Sequence, residues 1–144
     1  MLPTVILISP STIESADFHQ FLEELGVDAS GNPQDNGRYW IRGEQFLLIT
    51  RNTDLIEQYA TDDPELLVTI HALLGAPLQG CVVVDFRRTA ESGIFAVEFA
   101  NVLNQRWPIV AIDEAQNIYD GTGIARLLEE GRGFSLTTTK EPLS

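Results

Sequence analysis

Few residues in this chain are equipped for reaction chemistry, and their spacing gathers little of it in one place. The sequence holds one cysteine, Cys81, and two histidines, His19 and His71. Cys81 sits between Gly80 and Val82 in an apolar run, with no adjacent base or cation to lower its pKa, so it reads as a buried structural thiol rather than a nucleophile. The histidines fall on different predicted helices, with no cysteine or carboxylate at H-E-x-x-H spacing, and no metal site is expected. The segment Ile109-Val110-Ala111-Ile112-Asp113-Glu114-Ala115-Gln116 looks like the nucleotide-hydrolase strand that ends in magnesium-holding carboxylates. That chemistry needs a phosphate cradle, yet no G-x-x-x-x-G-K-[ST] occurs, and Lys140 is the only lysine. Gly121-Thr122-Gly123 precedes a predicted helix, but Asp120 beside it repels an anion, so it reads as a turn and helix start. Asp85 and Asp113 end two apolar runs, and a carboxylate pair there does acid–base work if burial splits their pKa values. Charged strand ends more often cap turns or pair with nearby arginines, here Arg87 and Arg88. No catalytic residue, metal or cofactor is therefore expected, and a small hydrolase using Asp85 and Asp113 is the enzyme alternative.

The elements that position these residues centre on residues 80–120. Gly80 to Arg87 is short, β-branched and uniformly apolar until Asp85, which predicts a strand covered on both faces, and Thr4 to Ser9 reads the same way. From Ser92 to Trp107 the polar positions Glu98, Asn101, Asn104 and Gln105 make one thin stripe, so this helix is covered over most of its circumference. Ser92 is its expected cap and Pro108 its stop. The strand, helix and following strand (109–112) read as a parallel, right-handed crossover.

Upstream, Ser11 and Glu14 have capping-box spacing before Phe18, Phe21, Leu22 and Leu25 at helical period, with Gly26 beyond. Residues 28–37 are dense in turn formers. Two β-prone runs around Gly43 predict a hairpin. Leu55, Ile56 and Tyr59 mark a short helix after Asn52-Thr53-Asp54. Asp62-Asp63-Pro64-Glu65 caps the next, with Leu66, Leu67, Ile70, Leu73 and Leu74 as its buried face. Ile124, Leu127 and Leu128 mark a final short helix ending near Gly131. The order predicts one α+β domain over residues 1–134, followed by a polar tail over 135–144. Its mixed sheet is packed by helices mainly on one face, in the ferredoxin-like βαββαβ order extended by a further helix and strand.

The 144 residues suffice for a single core. Twenty-one acidic residues face nine basic ones, a net charge of −12. Such a field disfavours nucleic acid and anionic lipid as partners and draws in basic macromolecules. The lone cysteine, the apolar N-terminal run without a basic residue before it, and the lack of any apolar run long enough for a membrane span predict a cytoplasmic protein.

Aromatic residues lie beside charge in three places: Tyr39 and Trp40 near the arginines of the hairpin, Tyr59 near Asp62-Asp63-Pro64-Glu65, and Tyr119-Asp120 after Asp113-Glu114. Aromatic anchors within a charged rim suit a protein interface. The alanine- and aromatic-rich helix Phe95-Ala96-Val97-Glu98-Phe99-Ala100 to Gln105-Arg106-Trp107-Pro108, then a short strand, Asp113 and Ile118-Tyr119-Asp120, resembles the small immunity proteins of bacterial polymorphic and contact-dependent toxin systems. The resemblance spans about residues 80–120. It implies a non-enzymatic protein that neutralises a cognate toxin by covering its basic active-site region. Contacts are expected from Asp62, Asp63, Glu65, Asp113, Glu114, Asp120, Tyr59 and Tyr119. The alternative outside that class is a non-inhibitory adaptor or chaperone-like binding module.

Overall fold

The two uniformly apolar runs become neighbouring strands in the middle of a sheet. In the computed structural model, residues 2–27, 37–52 and 54–136 are described, without the side chains of 37–39. The elements are β1 (Thr4–Ser9), α1 (Ser15–Glu24), β2 (Gly37–Arg42), β3 (Gln45–Arg51), α2 (Asp54–Asp62), α3 (Pro64–Leu74), β4 (Gly80–Phe86), α4 (Ala90–Arg106), β5 (Val110–Ile112), β6 (Ile118–Tyr119) and α5 (Gly121–Glu129). The strands lie in the order β2-β3-β4-β1-β5-β6. The class is α+β, with the βαββαβ element order extended as expected.

Every described strand pair is antiparallel, which replaces the mixed sheet. β4 and β5 do run in the same direction, but β1 lies antiparallel between them, so α4 crosses over a strand rather than joining adjacent ones. The pairing also departs from a ferredoxin-like sheet, because β1 sits beside β4 and β5 and makes no ladder with β3.

Strand alternation gives each face its own core. Val5 and Leu7 of β1, Leu47 and Ile49 of β3, and Val82, Val84 and Phe86 of β4 face α1, α4 and α5, with Phe95, Phe99 and Leu103 fully buried between. Each such phenylalanine contributes about 2–3 kcal/mol through burial. Trp40 packs 4.8 Å from Phe95, and the Arg42 guanidinium lies 4.1 Å above the same ring while pairing with Glu98 at 2.5 Å. The other face carries Ile8, Cys81, Val110 and Ile112, covered by Ile70 of α3 and half-buried residues of α2 and α3. Among the described residues, helices therefore lie on both faces, three on one and two on the other.

Two helix starts differ from expectation. Ser11 does not cap α1, whose flanking residue is Glu14 without a side-chain cap. Ile13 is buried instead, and with the Ser11 carbonyl it fills the space a side chain at Gly80 would need, which holds residues 11–13 out of a helix. α4 starts earlier than Ser92, with Thr89 accepting from the Ser92 amide at 3.2 Å, while the Ser92 hydroxyl turns to Gln45. Of the segment read as a loop at 28–37, residues 28–36 lie outside the described residues and Gly37 begins β2.

The core extends past residue 134. Phe134 is buried against Tyr119, and the Ser135 amide and Leu136 carbonyl bond to Asp113 and Arg88, so residues 132–136 form a strap across α4 and the β5–β6 turn. Residues 137–144 of the polar tail are outside the described set. A Cβ on Gly133 would lie 2.5 Å from the Gly93 carbonyl carbon and 2.7 Å from the Ile94 nitrogen, both backbone atoms of α4. Gly133→Ala is expected to lower unfolding free energy by about 2 kcal/mol in urea titrations through this overpacking. Gly93→Ala, whose nearest contact is 3.1 Å and which gains helix propensity, should be close to neutral.

Candidate functional site

Unneutralised acidic charge gathers on the α2–α3 hairpin. Residues 54–74 contain Asp54, Glu57, Asp62, Asp63 and Glu65 and no lysine or arginine. None of the five forms an ion pair among the described residues. Their placement follows from local rules. Asp63 is the N-cap of α3, accepting from the Leu66 amide at 3.3 Å, Pro64 occupies the first turn, and Gly75 ends the helix at φ +72°. Asp54, Glu57 and Asp62, with Gln58 and Thr61, share the outer face of α2 and line an open depression of about 550 Å³. Asp62, Asp63 and Glu65 are all exposed. Tyr59 is half-buried on the inner side of α2. Burial raises its pKa, and the charges of Cys81 and Asp63 raise it further.

Beside these acids lies apolar surface. Of the five residues read as the buried face of α3, only Ile70 is fully covered, while Leu73 is 51% exposed. Val68 is 70% exposed. Ile56, Leu67, Val68, His71 and Leu78 line a groove of about 240 Å³ between the two helices. The sequence carried a signal for this. Leu66, Leu67, Val68, Ile70, Leu73 and Leu74 are more large apolar positions than one buried face of an 11-residue helix can cover.

The second acidic group divides between interior and surface. Asp113 is 2% exposed. Its Oδ1 accepts from the amides of Ala115 (3.1 Å) and Asn117 (3.0 Å), and its Oδ2 from Asn117 Nδ2 (3.3 Å), the Tyr119 hydroxyl (3.4 Å) and the Ser135 amide (3.1 Å). It is the organiser of the β5–β6 turn, and its oxygens are already occupied within the fold. Tyr119 is half-buried, and its pKa is raised first by burial and then by the Asp113 carboxylate it bonds, partly offset by Arg132 and Asn117. Asp120 is exposed and caps α5 through the Gly123 amide at 2.8 Å. Gly121-Thr122-Gly123 is accordingly the first turn of α5, with a carboxylate at its amides.

Asp85 and Asp113 do not meet. Asp85 alternates with Val84 and Phe86 and so lies on the α2–α3 face, whereas Asp113 bonds Tyr119 and Ser135 beside the opposite core. Glu114, one residue on, turns to the Asp85 side. Its Oε1 accepts from the Thr4 amide at 2.6 Å, and Asp85 Oδ1 accepts from the Thr4 hydroxyl at 2.5 Å. Both carboxylates are half-buried and tie down the start of β1. Cys81 is buried with its pKa pushed up to about 12 by burial, the opposite of an activated thiol. Among the described residues no cluster of three or more His, Cys, Asp or Glu has metal-holding geometry, and no helix is long and apolar enough to cross a membrane.

The fold and surface define a small α+β domain with a six-stranded antiparallel sheet among its described residues, and with five acidic residues beside the exposed Val68 and Leu73 on one helical hairpin; Ile41 of β2 and Leu2 are the other exposed large apolar side chains among the described residues. No family model, curated protein or solved structure matches the chain.

Proposed function

We propose that this chain is a non-catalytic, cytoplasmic inhibitor of the immunity type, which binds a basic effector domain and covers its active-site region. The observation that carries the reading is the α2–α3 hairpin, with five acids, no lysine or arginine over residues 54–74, and no ion pair to any of the five among the described residues. Like charges held this close are kept at some expense in folding energy, and a positively charged partner relieves that repulsion while gaining association rate. Asp62 and Glu65 supply outward charge, Asp63 holds the helix start, and Tyr59 supports them from below. Asp120 adds an exposed carboxylate at the start of α5, with Asp113 and Tyr119 holding the turn before it, and Glu114 lies half-buried at the start of β1.

Growth rescue tests this. The chain is coexpressed with the effector encoded by the adjacent gene, and rescue is compared with that by an Asp62→Lys, Glu65→Lys, Glu57→Lys variant. All three side chains are exposed, so stability should stay within about 0.5 kcal/mol per site. Affinity should fall about a hundredfold, and growth protection should fail. Undiminished protection by the folded variant removes the hairpin as the contact. Tight binding by the parent protein without protection identifies a non-inhibitory adaptor instead.

A further inference from the structure

We infer that the α2–α3 groove seats an amphipathic helix of the partner, with its apolar side against Leu67, Val68 and Ile56 and its cationic side against the acids of α2. The inference rests on reading the hairpin as the binding surface and adds what the partner must present there. Acidic charge alone would recruit any polycation. Here charge and apolar surface meet on one helix: Asp54, Glu57 and Asp62 stand on the outer face of α2, while Ile56 from its other side joins Leu67, Val68, His71 and Leu78 in the apolar depression. Val68 is 70% exposed, and an exposed apolar residue on the same pair of helices as unpaired acids is what a desolvated anchor needs. Two packed helices present a groove into which a third helix packs by ridges, with anchors repeating at i, i+3 or i+4, and i+7. An extended strand would alternate its side chains and would bring one apolar side to the groove only by leaving its backbone polar groups unpaired against leucine and valine.

The test uses the intact protein and a synthetic peptide of about 14 residues, with leucines at i, i+3, i+4 and i+7 and lysines elsewhere. A second peptide of identical composition has its leucines spread around the helix. Titration calorimetry and amide shift mapping should find the amphipathic peptide bound at Ile56, Leu67, Val68 and His71, at least about tenfold more tightly than the permuted one. Val68→Glu should weaken it about tenfold, and Glu57→Lys with Asp62→Lys should weaken it similarly while flattening the dependence on salt. Equal binding of the two peptides, or unchanged affinity in Val68→Glu, overturns the groove and leaves only a charged surface. Growth rescue is read separately. Rescue with no groove binding overturns this inference and spares the inhibitor reading. Groove binding with no rescue does the reverse.

Discussion

Asp113→Ala is expected to remove about 4 kcal/mol of unfolding free energy, a large share of the roughly 5–15 kcal/mol that holds a domain of this size. The carboxylate collects five donors from three stretches of chain: the turn itself, Tyr119 on β6 and Ser135 on the strap. Truncation leaves those donors facing a buried void, and each unmet group carries its desolvation penalty. The same turn holds Gln116 at φ +65°, a conformation that side chains other than glycine adopt reluctantly, and the two amide bonds to Oδ1 offset that strain. Asp113→Asn keeps the size but must direct an amide NH₂ at one set of donors, so about half of the loss should remain. Urea titration of the three proteins checks this, and a loss below about 1 kcal/mol for the alanine variant would show that the donors find other partners. Because the strap and turn loosen together, hydrogen exchange should accelerate at Ala115, Asn117 and Ser135 before the rest of the sheet.

What was legible in the sequence was local. The runs at 4–9 and 80–86, the hairpin about Gly43, the Asp63-Pro64 start of α3 and the proline stop after α4 all rest on interactions within a few residues, and each element forms where those rules put it. Strand partners were not legible, because any of several apolar runs satisfies β1 equally well until α1 and α4 claim one face. Register parity was a second gap. Asp113 and Glu114 differ by one residue and so point to opposite sides of the sheet, which sends the expected partner of Asp85 into the other core and brings Glu114 to Thr4. At the hairpin, the acids were evident from composition, but the exposure of Val68 and Leu73 depends on how much of α3 the sheet can cover. Burying Ile70 on Cys81, Ile8 and Val110 turns the remaining apolar positions outward.

Cys81 sets the response of the fold to alkali. Its thiol has no solvent exposure, and burial raises its pKa from 9.0 to about 12. A raised native pKa means the unfolded chain loses the proton first. This contribution to stability is complete below pH 9 and is lost progressively as pH climbs from about 9 to about 12. At 1.36 kcal/mol per pKa unit the full loss is about 4 kcal/mol. Tyr59 and Tyr119, both raised above 10.0, steepen the decline at the upper end. Cys81→Ala separates the thiol from the tyrosines. It should be less stable than the parent by about 1 kcal/mol at pH 7, where only packing is lost. At pH 11 the parent has forfeited about 3 kcal/mol to thiol ionisation, so the order reverses and the alanine variant becomes the more stable by about 2 kcal/mol. Urea midpoints at the two pH values decide the matter. Parallel stability curves with no crossing would mean that the native thiol titrates normally, and the same protein would then react with a thiol reagent at pH 8 without unfolding.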